Sequence, residues 1–96
     1  MVTVRKTPEF DRALRDIRDG RAKQKILIRI DRLELGNPGD HRNLNNGISE
    51  LRIDHGPGYR VYYAMRGTDL ILLLLCGDKS TQDRDIVRAN KLNLAE

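Results

Sequence analysis

Phe10, Ala13, Leu14 and Ile17 recur three and four residues apart, with Asp11, Arg12, Arg15, Asp16 and Arg18 on the remaining positions. That period predicts an amphipathic helix with one apolar stripe. Thr7-Pro8 supplies an N-cap and a first helical residue, and Asp19-Gly20 supplies the stop. Weak alternation over residues 2 to 5 predicts a short strand before the helix. From Arg21 to Leu35 two periods compete. Ile26, Ile28 and Ile30 alternate as in a strand, while Ala22, Ile26, Ile30 and Leu33 keep helical spacing. The length, the polar start RAKQK and the stop at Gly36 favour a second helix, antiparallel to the first.

GNPGDHRNLNNG, residues 36 to 47, reads as a turn-rich loop. ISELRID, residues 48 to 54, then alternates, so Leu51 and Ile53 predict a buried face and Glu50, Arg52 and Asp54 a charged one. After HGPG, YRVYYAMR repeats the alternation, with Val61 and Tyr63 opposite Arg60, Tyr62 and Arg66. Arg66-Gly67-Thr68-Asp69 predicts a hairpin turn, and LILLLLC, residues 70 to 76, a central strand covered on both faces and paired with its predecessor. In the remaining stretch from Gly77, Ser80 is a candidate N-cap with Asp83 three positions on, and Ile86, Ala89 and Asn93 form one helical stripe. The predicted order is strand, helix, helix, three strands, helix, an α+β arrangement. Nothing in the pattern divides residues 1 to 96 into more than one domain.

Composition narrows the function classes. At 96 residues the chain has room for a modest core but none for a separate cofactor domain. Eighteen Lys and Arg against 14 Asp and Glu give a net charge of +4, which favours a polyanion or an acidic protein as partner. The lone Cys76 excludes an internal disulfide and fits a reducing, cytoplasmic setting. The longest apolar run is far short of the ~18 residues that span a bilayer, and MVTVRKTPEF has no secretory h-region. His41 and His55 lack metal-ligand spacing, and no Gly-rich nucleotide loop follows a strand. Neither metal nor cofactor is expected.

The polar chemistry concentrates in ELRIDHGPGYRVYY, residues 50 to 63, which holds Arg52, His55, Arg60 and all three tyrosines of the chain. Antiparallel pairing of its two strands brings the guanidiniums of Arg52 and Arg60 to one face. Guanidinium matches phosphate with paired donors, and Tyr59 or Tyr62 beside it offers a ring for stacking an unpaired base. The alternative is a solvated sheet face, with Arg52 paired to Glu50 or Asp54 and the tyrosines as half-buried strand residues. His55 in the turn has the intrinsic pKa range for proton transfer near neutrality. Lys79 lies just ahead of the last helix, where backbone amides and an ammonium can face one anion.

Two stretches, Glu50-Leu51-Arg52 through Gly58-Tyr59-Arg60-Val61-Tyr62-Tyr63 and Gly77-Asp78-Lys79 through Thr81-Gln82 to Asp85-Ile86, resemble in spacing and order the RelE/ParE toxin superfamily. The resemblance is to its HigB-like, phage Gp49-like addiction-module killer branch, and it covers nearly the whole chain. It implies an antiparallel sheet with two N-terminal helices on one side, a basic concave face on the other, and a C-terminal helix. It implies a ribosome-dependent mRNA endoribonuclease that cuts by attack of the ribose 2′-OH on the adjacent phosphate, without metal. It also implies neutralisation by a HigA-like helix-turn-helix antitoxin, through which alone the toxin meets operator DNA.

On the matching positions, the resemblance makes Arg60 a phosphate contact, Arg52 and Lys79 supporting cations, and His55 an acid or base; beside them Tyr59, Tyr62 and Arg66 are the expected RNA contacts. One departure stands out. Relatives carry a Tyr or His near the C-terminus for proton transfer, and neither residue type follows Tyr63 here. Two other outcomes therefore stay open: a poison of DNA gyrase on the same fold, as in the ParE side of the superfamily, and a catalytically degenerate module that only binds its antitoxin.

Overall fold

The computed structural model describes residues 2–96. Five strands form one sheet in the order β1-β5-β4-β3-β2. β1 (Thr3–Lys6) lies parallel to β5 (Leu70–Asp78), and β2 (His41–Asn43), β3 (Ile48–Ile53), β4 (Tyr59–Arg66) and β5 run antiparallel in turn. Two helices, α1 (Pro8–Asp16) and α2 (Gly20–Glu34), follow β1, and α3 (Gln82–Ala95) ends the chain.

The apolar spacing read from the sequence decides which helix lies on which face. Phe10 of α1 and Ile26, Ile30 and Leu33 of α2 pack with Leu51, Ile53, Val61, Tyr63, Ile71 and Leu73 in one core. On the other face, Ala89 of α3 packs with Ile48, Tyr62, Ala64, Leu72, Leu74 and Leu75. β5 feeds both cores, which is why its sequence is an unbroken apolar run. A bulge on β5 pairs Tyr62 with Leu75 and Tyr63 with Leu73, skipping Leu74. Leu74 and Leu75 consequently face the same core, and the inside-outside parity of the strand is reset before Cys76. Cys76 is buried, and burial pushes its thiol up to about 12, so it serves as a small hydrophobe.

Several boundaries differ from the sequence expectation for local reasons. Thr7 caps α1 as predicted, accepting from Phe10 N at 2.9 Å and donating to Leu74 O at 2.7 Å. Asp19-Gly20 does not end that helix, however. α1 closes at Asp16, and Asp19 caps α2, its carboxylate accepting from the amides of Arg21 and Ala22. The stretch 36 to 47 is not wholly loop: His41–Asn43 adds an edge strand to β3, which raises the predicted three consecutive strands to four. Period-2 hydrophobicity could not reveal it, because all three of its residues are exposed.

Ser80 is not the cap of the last helix. Asp78 accepts from Ser80 N and caps a 3₁₀ turn, Lys79–Thr81, that leads into α3. α2 and the segment after it are stapled by Arg29, whose guanidinium donates to the carbonyls of Arg52 (2.6 Å), Pro38 (2.8 Å) and Asp40 (2.7 Å). The chain at Asp40 is thereby fixed beside the end of β3.

Candidate active site

Arg52 and Arg60 are direct cross-strand partners on β3 and β4. Opposed residues share a face, here the α3 face of the sheet. The strands diverge into a tight turn in which Gly58 N donates to His55 O at 3.0 Å. Gly56 and Gly58 both hold positive φ, +55° and +84°, conformations that side-chain-bearing residues rarely adopt. Gly58 also gives its carbonyl to Lys79 N at 2.8 Å, which draws the start of the 3₁₀ turn against the hairpin.

The outcome is an open cavity of about 380 Å³ between the hairpin turn, Asp40 and Lys79. Arg52, Arg60 and Lys79 line it together, with Asp40 and Asp54 also on its wall. The cationic shelf expected from the sequence is therefore present, and Lys79 joins it from across the sheet. On its far side Lys79 also borders a second open cavity of about 370 Å³, shared with Ser80, Gln82 and Arg84.

Beneath the arginines lies Glu50, whose side chain is fully buried. Its Oε1 sits 3.5 Å from Arg42 Nη2, 3.6 Å from Arg52 Nε and 4.0 Å from Arg60 Nε. Gln82, from the first turn of α3, donates to Oε2 at 2.9 Å and to Oε1 at 3.2 Å. The sequence places Glu50 on a charged, solvent-facing strand face, and the structure corrects this. α3 and Tyr62 cover that face at Glu50, so on this face of β3 Arg52, beyond the cover, is the residue whose side chain stays partly exposed. Glu50 and Gln82 went unrecognised as site residues. A signal existed for Glu50: it precedes Arg52 by two residues and therefore shares its face. Gln82 stands in the second of the two matching stretches, but its contact with Glu50, 32 positions away, depends on where α3 crosses the sheet and could not be read from spacing.

The other expected site residues are dispersed. Tyr62 is fully buried, opposite Glu50 in register, and offers no ring to a base. Burial, with the nearby Glu50 and Asp85 carboxylates, pushes its phenol well above the ordinary tyrosine value. Arg66 lies at the opposite end of β4 and donates to Asn93 O (2.9 Å) and Glu96 O (3.3 Å), serving as a cation at the C-terminus of α3. Tyr59 is half-buried and stacks on His55, with centroids 6.5 Å apart. His55 does not line the cavity; its Nε2 is 2.8 Å from Asp19 Oδ2, tying the hairpin turn to the start of α2. His41 holds its Nδ1 2.8 Å from Gly39 O.

The Asp19–His55 pair makes a pH prediction. The hydrogen bond from His55 is the largest cause holding the Asp19 carboxyl below its ordinary value of 3.8, followed by the Ala22 amide. A depressed carboxyl favours the folded state at neutral pH, and that contribution is lost as pH falls through the lowered midpoint. Carbon-detected titration of Asp19 should show the depressed midpoint, and His55→Ala should return it towards 3.8. An unchanged midpoint in the variant would contradict the tether.

Among the described residues, no group of three His, Cys, Asp or Glu side chains is arranged to hold a metal ion, and no helix is long and apolar enough to cross a membrane. The chain is 50% identical over 91 residues to an uncharacterised protein of Haemophilus influenzae, an alignment covering 95% of this chain and 92% of the relative. Residues 12–96 match the family model described as "Phage derived protein Gp49-like (DUF891)". That match spans α2, the whole β2–β5 meander, the cationic cavity and α3, and the chain belongs to the Gp49-like family, a RelE-like toxin family.

Proposed function

We propose that this chain is the toxin of a type II toxin–antitoxin module, HigB-like in branch, and acts as a ribosome-dependent mRNA endoribonuclease in the cytoplasm. The observation that carries the reading is the meeting of Arg52, Arg60 and Lys79 around one open cavity of about 380 Å³. Three cations at one opening suit a phosphodiester whose negative charge increases during reaction.

In the proposed step the ribose 2′-oxygen attacks the adjacent phosphorus. Its proton leaves to the carboxylate of Asp40 or Asp54, or to water. The P–O5′ bond breaks, and the departing 5′-oxygen takes up a proton from water or from the carboxyl group that received the first one. The products are a 2′,3′-cyclic phosphate and a free 5′-OH. The nucleophile is the substrate's own hydroxyl, so the chemistry requires no metal. Arg60, with Arg52 and Lys79, neutralises the extra charge on the phosphorane. His55, held by Asp19, has a structural role in this scheme. A helix-turn-helix, HigA-like antitoxin is the proposed partner that silences the site.

The reading is tested by inducing the chain in a bacterium without its antitoxin while mapping mRNA 5′ ends by primer extension. Growth arrest with new mRNA ends in translated regions, and with DNA supercoiling intact, is expected. Arrest with intact mRNA would overturn the nuclease and point to gyrase; no arrest would point to a module that only binds its antitoxin.

A further inference from the structure

Two like charges directly opposite one another on paired strands repel, yet Arg52 and Arg60 occupy such a pair. Arg60 is mostly shielded, with its side chain 11% exposed, so water screens the repulsion poorly. The compensating charge is Glu50, which is 0% exposed and lies near both Nε atoms. Those distances, 3.6 and 4.0 Å, are too long for hydrogen bonds, and both Nε–H groups are buried without a hydrogen-bond partner among the described residues. Glu50 thus attracts both guanidiniums by charge, without a hydrogen bond to either Nε. Its own hydrogen bonds come from Gln82, which fixes the carboxylate from α3.

We propose that Glu50 is the positioning residue of the site: a buried counter-charge, clamped by Gln82, that holds Arg52 and Arg60 side by side to take a single phosphodiester between them. Being fully buried, it does not touch the 2′-OH and is not the base. The inference deepens the nuclease reading for its effect on cleavage, whereas its effect on the arginines can be read in the absence of any cleavage.

Positioning predicts a split that loss of fold would not produce. Glu50→Gln keeps shape but removes the negative charge, so the cleft becomes more cationic while its arginines move apart. RNA affinity at low salt should hold or rise, with the salt slope steepening by about one charge. Cleavage should fall by about 100-fold, the scale expected for roughly 1 Å of misplacement.

The experiment compares wild type, Glu50→Gln and Gln82→Ala by nitrogen-15 NMR of the arginine Nε–H groups and by calorimetric titration with a 2′-O-methyl RNA tetranucleotide, which cannot be cut. In wild type, Arg52 and Arg60 should give separate, slowly exchanging Nε–H signals that shift on addition of the oligonucleotide. Glu50→Gln should collapse both towards the signal of free arginine while retaining affinity, and Gln82→Ala should do the same less completely.

Unmoved arginine signals in folded Glu50→Gln, or affinity lost in step with cleavage, would overturn the proposal. If Glu50→Gln does not fold, Gln82→Ala decides: unchanged signals in that variant count against the clamp. Wild type that binds the oligonucleotide and shows the expected arginine response, yet cuts no mRNA, would refute the nuclease and leave the positioning role standing.

Discussion

Arg60→Ala is expected to lower mRNA cleavage by about 10²–10³-fold, the loss typical when one preorganised stabiliser of transition-state charge is removed. The fold should tolerate the change. The hydrogen bond that Arg60 donates goes to the carbonyl of its neighbour Tyr59, at 3.1 Å, and no distant element depends on it. Its removal also relieves the opposed pair with Arg52, and Glu50 keeps Arg42, Arg52 and Gln82 around it. The variant should therefore express, melt close to wild type, and permit growth when induced alone. Oligonucleotide binding should weaken with a salt slope reduced by about one. Full toxicity with unchanged mRNA ends in Arg60→Ala would remove the central cation from the mechanism.

Arg60 was legible in the sequence because strand alternation and register are local consequences of side-chain period. Once ISELRID and YRVYYAMR are read as antiparallel neighbours across HGPG, Arg52 and Arg60 must face the same way. The helices were equally legible, since Phe10, Ile26, Ile30 and Leu33 each lie on a stripe of helical spacing and each is buried. What failed was anything decided by what covers the sheet. Alternation assigns Glu50, Arg52, Arg60, Tyr62 and Arg66 to one face, but it cannot say where α3 crosses that face. Tyr62 and Glu50 lie beneath the helix, Arg66 caps its end, and only Arg52 and Arg60 emerge beside its start.

The turn was misleading for a related reason. His55 sits next to the arginines in sequence, but the i→i+3 hydrogen bond of the HGPG turn closes the loop and His55 pairs with α2 at Asp19. Asp19 and Gly20 in turn were punctuation whose direction the sequence left ambiguous: an Asp followed by Gly can close one helix or cap the next. The side-chain acceptors for Arg21 N and Ala22 N made it a cap.

Gly77→Ala is expected to destabilise the protein by about 3 kcal/mol, at the upper end of the cost of overpacking a core position. Gly77 is the β5 partner of Arg60, so the change acts on the same face of the sheet, beside the cationic cleft. A methyl group there would run into Asp85 Oδ2 and come within 3.2 Å of Thr81 Oγ1. Neither group is free to yield. Asp85 is 8% exposed and accepts from Thr81 Oγ1 at 2.6 Å, and its carboxylate lies in the first turn of α3, where the helix dipole favours it. Displacing it leaves a buried carboxylate poorly partnered or shifts the start of α3, and a shift carries Gln82 off Glu50.

The physical cause is separable by a double-mutant cycle. Asp85→Ala alone should cost stability through loss of the Thr81 bond, but it also clears the space that the new methyl needs. Gly77→Ala combined with Asp85→Ala should then be far less destabilised than the sum of the single changes, because contacting residues are not additive. Denaturant unfolding of the four proteins measures the coupling, and hydrogen exchange at Gln82 and Asp83 reports whether α3 has moved. Additive losses would mean that the glycine is required for a reason other than the Asp85 carboxylate that fills its place.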